Sequence, residues 1–511
     1  SLKQKGQFFD AKQLAEWITV LQPRCPGVWE FNAWNMAYNI SVAIPASQPQ
    51  ERWRWIKNGY ELLRDKGIEM NPKSILLYRE LARIFQHKIG GVTDDAHKYY
   101  KLQLAISMEP LLGKADNEYF EKLSQSPKSW QEVTADANVA DFVNKLKTAD
   151  EKFADEKYFV SNYLALRQKP ALFNEEAANI LGDFAGSETL DKFNIFANAY
   201  QLRKTWKLEP ALMKKLNQAH GPINYDDPNT RYPLDWRTAD AHAIYWAVRG
   251  LELGSKDEFN ANETNTDRIV AHSLQGLFRN GKIYIHKSVD PNSKAEQYSI
   301  YLRPDLRMFD SYNKSTLAII DKYRKIENIK HGTFVSLQTG HRNMLTNAAF
   351  SFYQSGRKKK ALAIFNELRK LYPSKRFDMS LAEFMKARLD EELASIGLND
   401  AEEMVQMLLI ESIFRYAMGE DDEAYYQEQL AKQIFDHYQK SYSDENRINL
   451  PPFDFSKYFA IRDFFSDPQY PDDLKRSLYN RINIEKPELA KKFEQIESQF
   501  IKQSQEQNDN N

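Results

Sequence analysis

The sequence is short of most residues that would announce a chemistry. Among 511 residues there is one cysteine, Cys25. That excludes an internal disulfide framework and any all-cysteine metal site. Cys25 stands in "QPRCPGVW", between two prolines at a turn, and reads as a bystander thiol rather than a nucleophile. Glycine and proline are scarce, at 19 and 20 residues, and runs of Val, Ile and Thr are rare. Ala, Leu, Lys, Glu and Gln dominate instead, which favours helix throughout.

An excess of one charge is also lacking. Seventy basic and 71 acidic side chains leave a net charge of −1. A dedicated nucleic-acid binder carries a basic excess, and so does a polybasic membrane-surface protein. No apolar run approaches the roughly 20 residues needed to span a bilayer. There is no GxxxxGK followed by Ser or Thr, no GxGxxG after a strand, no HExxH and no CxxCH. Nucleotide cradles, the zinc-protease motif and covalent haem therefore have no support. The nine histidines (87, 97, 220, 242, 272, 286, 331, 341, 437) include no pair with metal-ligand spacing on one helix face. No cofactor and no metal are expected.

What the sequence does have is helix-pair punctuation. In "NMLTNAAFSFYQSGRKKKALAIFNELRKLYP", Ala348, Ala349 and Phe352 share one face of a first helix. Gly356 falls where that helix must turn, and glycine takes positive φ without steric cost. Ala361, Phe365 and Leu368 form one stripe on a second helix, and Pro373 stops it. This is the spacing of a tetratricopeptide repeat, a helix pair of about 34 residues. It recurs near the N-terminus at Gly6, Ala11, Ala15, Ile18 and Pro23, and again at Gly419, Ala424 and Ala431 without a closing proline. Two irregular pairs lie between Val28 and Pro110.

The fold class expected is all-α: a tetratricopeptide-like α-solenoid of antiparallel helix pairs. One β signal interrupts it. "KIYIHK" and "QYSIYLR" alternate apolar with polar residues around a turn-rich linker, so a β-hairpin is expected over about 282–302. The organisation read from the chain is N-terminal repeats over 1–112, an irregular helical region over 113–230, a helix pair plus hairpin over 231–340, C-terminal repeats over 341–440, closing helices over 441–500 and a disordered tail over 501–511. An Asn-rich loop is expected at 255–267, between the two helices of the 231–340 region. Its oxygen-bearing side chains lack the EF-hand spacing for calcium.

Aromatic residues reach 13% and crowd residues 17–60: Trp17, Trp29, Phe31, Trp34, Tyr38, Trp53, Trp55 and Tyr60. Trp53 and Trp55 are two apart and cannot share a helix face, so at least one leaves the core stripe. Thick inter-helix packing accounts for such crowding. A binding patch is the sharper alternative, drawn from Trp29, Trp34, Trp53, Trp55, Tyr60, Trp236 and His242. His242, in "ADAHAIYWA", reads as a satisfied core histidine more readily than as a general base. The acidic groups at Asp94-Asp95 and Glu420–Glu423 begin helices, where carboxylates complement the dipole. No catalytic residue is assigned.

"WEFNAWNMAYNIS", "RWRWIKNGYELLRDKGIEMNP", "LYRELARIFQHKIGG" and "DWRTADAHAIYWA" resemble a group of uncharacterised helical-repeat proteins of planctomycete-type bacteria, some of them labelled "iron responsive element". The resemblance covers most of 1–110 and the 235–250 block. It implies a hydrophobic anchor upstream of Ser1 and a repeat region outside the cytoplasm, with a cytoplasmic protein as the alternative. It brings no catalytic residues, and no cluster of His, Cys or carboxylates in the sequence supports iron binding.

The function expected is a non-enzymatic scaffold or adaptor that binds a protein partner or assembles with itself, probing no nucleic acid. A carbohydrate- or small-ligand-binding receptor is the alternative, with the regions near Trp53–Trp55 and 224–246 as its candidate cleft. An all-helical glycan-active enzyme is the third reading, since paired carboxylates meet only in the fold.

Overall fold

Helix formers outnumber strand formers along nearly the whole chain, and the computed structural model is mostly helical, with one two-stranded sheet among the described residues. The structure describes residues 17–19, 21–225, 227, 229–254, 261–289, 296–324, 331–393, 398–442, 450–467, 470 and 472–496. The N-terminal repeat signal at Gly6 and Ala11 and the tail at 501–511 lie outside the described residues. None of the described helices is long and apolar enough to cross a membrane.

The chain forms two compact units, 1–285 with 300–327, and 286–299 with 328–511. No unit boundary falls at 112–113 or 230–231, and the helix His331–Gln354 runs through the division expected at 340–341.

The first unit is built on three long helices, over 26–43, 49–70 and 75–89. Each contains one widened turn in which a backbone N–H reaches five residues back: Ser41 to Met36, Ile68 to Leu63 and Gly90 to Phe85. Proline at the first position starts the first two. Close approach is secured by small residues. A β-carbon on Gly59 would lie 2.9 Å from the Ala33 carbonyl oxygen and 3.2 Å from Ala37 Cβ.

The Ala239–Leu253 and Ala261–Asn280 helices pack on this layer. Ala243, Trp246, Ala247 and Gly250 are buried on one side of the former, as their spacing predicts. The latter starts earlier than expected. Asn262, Thr264 and Thr266 are poor helix formers, yet they are helical. Buried Asp267 anchors the turn by accepting from Lys322 Nζ at 2.6 Å and Tyr323 Oη at 2.5 Å. The part of the Asn-rich segment over 255–260 lies outside the described residues.

Short helices fill 117–220, most with a serine or aspartate cap. Asp116 accepts from the Tyr119 N–H, Ser129 from Glu132 and Ser187 from Leu190. Phe193 centres their core, with the rings of Trp130, Phe142, Phe159, Tyr163 and Phe196 within 6.3 Å.

The hairpin forms over Lys282–Val289 and Glu296–Arg303, longer than the alternation alone indicated. Two strands are marginal by themselves. Its base is stabilised by Ile283 and Ile300, which bury against Leu102 and Ala105 of the His97–Met108 helix.

In the second unit, His331–Gln354 and Lys358–Leu371 form the helix pair read from the sequence. Gly356 has φ +75° at the turn, and Ala348, Ala349, Phe352, Ala361, Phe365 and Leu368 are all buried. The helix ends at Leu371, two residues before Pro373. Leu398–Ala417 and Asp421–Tyr442 make a second pair around Gly419 at φ +78°, with Ala424 and Ala431 buried between them. Phe453–Ser466 and Asp472–Glu485 complete that core.

Candidate functional site

The aromatic patch divides once the residues are placed. Trp29, Trp55, Tyr60 and Trp236 are buried, at 5% exposure or less, and His242 is fully buried. The four aromatics are corrected from binding candidates to core residues, since a ring enclosed by protein offers no face to a ligand; His242 lies in the core, as its surroundings in the sequence favoured. Trp29 Nε1 donates to the Pro23 carbonyl at 2.9 Å, tying the first turn to its helix. Trp53 is half-buried and stacks on Tyr100 at 6.0 Å. His242 stacks on Phe85 at 5.0 Å, and its Nε2 meets the Trp236 carbonyl oxygen at 3.0 Å. Burial pushes its pKa down to about 4, so the ring is neutral.

What remains outside is a ridge on the 26–43 helix. Phe31, Trp34 and Tyr38 sit at i, i+3 and i+7 and so line one face. Phe31 is 61% exposed, while Trp34 and Tyr38 are half-buried. Their rings follow one another at 6.4 and 6.5 Å, and exposed His87 continues the row 5.8 Å from Tyr38. The Arg83 guanidinium lies 4.6 Å from the Tyr38 ring centre, a cation–π contact that stiffens the row.

A second feature was not found by sequence reasoning. Residues of six elements enclose a cleft of about 280 Å³, with Gly91, Lys101, Asp240, Gly276 and Arg279 in its wall. It falls partly within the 224–246 region, but through Arg237–Asp240 rather than through Trp236 or Trp246, which are buried.

The loop before the His97–Met108 helix sets the lysine. Asp94 is buried and accepts from Lys88 Nζ at 2.6 Å, Arg52 Nη1 at 2.9 Å, the Ala96 N–H at 3.0 Å and Tyr100 Oη at 3.1 Å. Burial alone would raise its pKa. The bonds from Lys88, Ala96 and Tyr100 outweigh burial and leave it lowered. Asp94 is therefore more than the helix-start carboxylate the sequence indicated: it ties three segments together.

One turn further on, Lys101 donates to the Gly91 carbonyl at 2.6 Å and lies 2.9 Å from His97 Nδ1. The widened turn that ends at Gly90 delivers that carbonyl. Burial pulls Lys101 down to about 8.

Asp240 stands in the first turn of the Ala239–Leu253 helix, behind the Thr238 cap. Its carboxylate makes no ion pair within 4.0 Å among the described residues. Burial pushes its pKa up to about 7, against the lowering pull of Lys101 and the Ser273 hydroxyl. Gly276 makes room for it, since a β-carbon there would lie 2.5 Å from Oδ2. Arg237 is occupied elsewhere, paired to both oxygens of Asp235 at 2.9 and 2.8 Å. The signal available in sequence was Asp240 itself, two residues from the histidine that drew attention. Nothing in the sequence marked Gly276 as its partner.

Among the described residues no group of three or more His, Cys, Asp or Glu side chains is placed to hold a metal ion. Cys25 is exposed and free. Compared with known proteins, the chain matches no family model and no curated protein.

Proposed function

We propose that this chain is a helical-repeat scaffold, a series of tetratricopeptide-like helix pairs that binds a protein partner or a second copy of itself without catalysing a reaction. The observation that carries the reading is the Phe31–Trp34–Tyr38 ridge. Large aromatic rings left partly in solvent at helical spacing cost solubility, and Trp and Tyr are enriched among the few residues that dominate binding energy at protein interfaces. The helix pairs around Gly356 and Gly419 support the repeat reading, with a small residue and a positive-φ glycine at corresponding places. The family resemblance adds an upstream membrane anchor to this proposal.

Cross-linking the protein in its native cells, followed by co-purification and mass spectrometry, tests it. A stoichiometric partner or a self-contact that is lost in the Phe31→Ala/Trp34→Ala variant supports the scaffold. A monomer with no partner, or a partner retained by that variant, overturns the role of the ridge.

A further inference from the structure

We propose that the cleft between Lys101 and Asp240 binds a small zwitterion of the amino-acid class, its ammonium on the Asp240 carboxylate and its carboxylate on Lys101 and Arg279. This goes beyond the scaffold reading and uses none of the residues of the ridge.

Four observations converge on it. First, Asp240 is a carboxylate set among protein atoms with no ion pair within 4.0 Å among the described residues, and the Ser273 hydroxyl, a neutral group, is the hydrogen-bonding side chain beside it. Such a group costs stability unless something pairs with it, and its place in a cleft marks it as a candidate functional group. Second, the opposite charge is in the same cleft but does not close on it: Lys101 and Asp240 form no ion pair within 4.0 Å. The lysine ammonium has three donors. The Gly91 carbonyl and His97 Nδ1 take two, and the third remains.

Third, the two charges are held from different helices by packing that a ligand need not rearrange. Asp240 rests against Gly276, where no side chain intervenes. Lys101 is braced by the loop that Asp94 fixes. Fourth, the chemistry of the wall selects both ends of the ligand. Arg237 is spent on Asp235, so the free positive charges are Lys101 and exposed Arg279. An amine alone would satisfy only Asp240, and an anion alone only the cations. A volume of about 280 Å³ is at the lower end for ligand pockets and suits a single amino acid better than an oligosaccharide or a nucleotide.

The test is a thermal-shift screen of the whole chain with each standard L-amino acid, followed by calorimetric titration of any that respond. Each responding amino acid is compared with its decarboxylated amine and its deaminated acid. The expected result is a raised Tm with one or a few amino acids, and at least tenfold weaker binding of both half-molecules. Asp240→Asn removes a carboxylate that stabilises nothing in the unliganded protein, so it folds, and it weakens binding at least tenfold. Arg279→Ala, on the exposed rim, is a second variant that leaves the fold intact and weakens binding at least threefold. The proposal is overturned if no amino acid shifts the Tm, if the amine or the acid alone binds as tightly as the parent, or if the Asp240→Asn protein binds undiminished.

Discussion

Gly250 lays its bare backbone against Tyr78: a β-carbon at 250 would lie 2.5 Å from Tyr78 Cβ and 3.1 Å from the first ring atom. Both contacts are close to helix backbone, so neither helix can yield by moving a side-chain end. Alanine is the better helix former by about 1 kcal/mol. Gly250→Ala should nonetheless destabilise the protein by roughly 1–3 kcal/mol, because overpacking outweighs propensity. Urea denaturation followed by circular dichroism reads this as a lower midpoint. A higher midpoint would show that the helices can part freely here.

Burial separates the roles of neighbouring aromatics. Trp55 is 5% exposed and Phe31 is 61% exposed. Trp55→Ala should cost about 3–5 kcal/mol by leaving a cavity. Phe31→Ala should stay within about 0.5 kcal/mol of the parent while reducing partner capture. If the two variants melt at the same temperature, the assignment of core and ridge is wrong.

The Asp94 cluster gives a third expectation. Asp94→Ala strands the buried ammonium of Lys88 and guanidinium of Arg52, and breaking a buried ion pair from one side costs about 3–5 kcal/mol. The double variant Asp94→Ala/Lys88→Met removes one of the stranded charges and should recover part of the loss. A double-mutant cycle in denaturant measures the coupling. Exact additivity of the two single changes would exclude a working Asp94–Lys88 pair.

Asp240 predicts a pH slope of unusual sign for a carboxylate. Its folded pKa lies above the unfolded value, so between about 4 and 7 the folded state holds a proton that the unfolded state has lost. Stability must then fall as pH rises across that window and level off above it. The effect is on the order of 4 kcal/mol. Asp240→Asn should flatten this part of the stability curve and leave the protein more stable at pH 8. Parallel curves for the two proteins would mean that the carboxylate is paired in solution.

Helix content, the Gly356 and Gly419 turns and the hairpin were legible because each rests on local chemistry: a positive φ, a small residue at a close crossing, an alternation of period two. The start of the Ala261–Asn280 helix was not legible. Asn262, Thr264 and Thr266 argue for a loop on propensity, and the contacts that overrule them come from Lys322 and Tyr323, more than fifty residues away. The same limit hid the cleft. Lys101, Asp240 and Gly276 carry no shared spacing, and only the packing of three helices brings them to one wall. The aromatic crowding over 17–60 was visible, but which rings face inward depends on neighbours that the local pattern does not specify.

The widened turn ahead of Gly90 amounts to one residue more than a regular helix would use. Each residue advances an α-helix by 100°. The widened turn absorbs that advance: with Gln86 deleted, the Gly90 N–H would still reach the Phe85 carbonyl, now four residues back, and the Gly91 carbonyl would stay in phase with Lys101. The extra residue therefore contributes a side chain rather than a phase: what the longer turn adds to the cleft is Gln86 itself, set in the wall without displacing the carbonyl that holds the lysine.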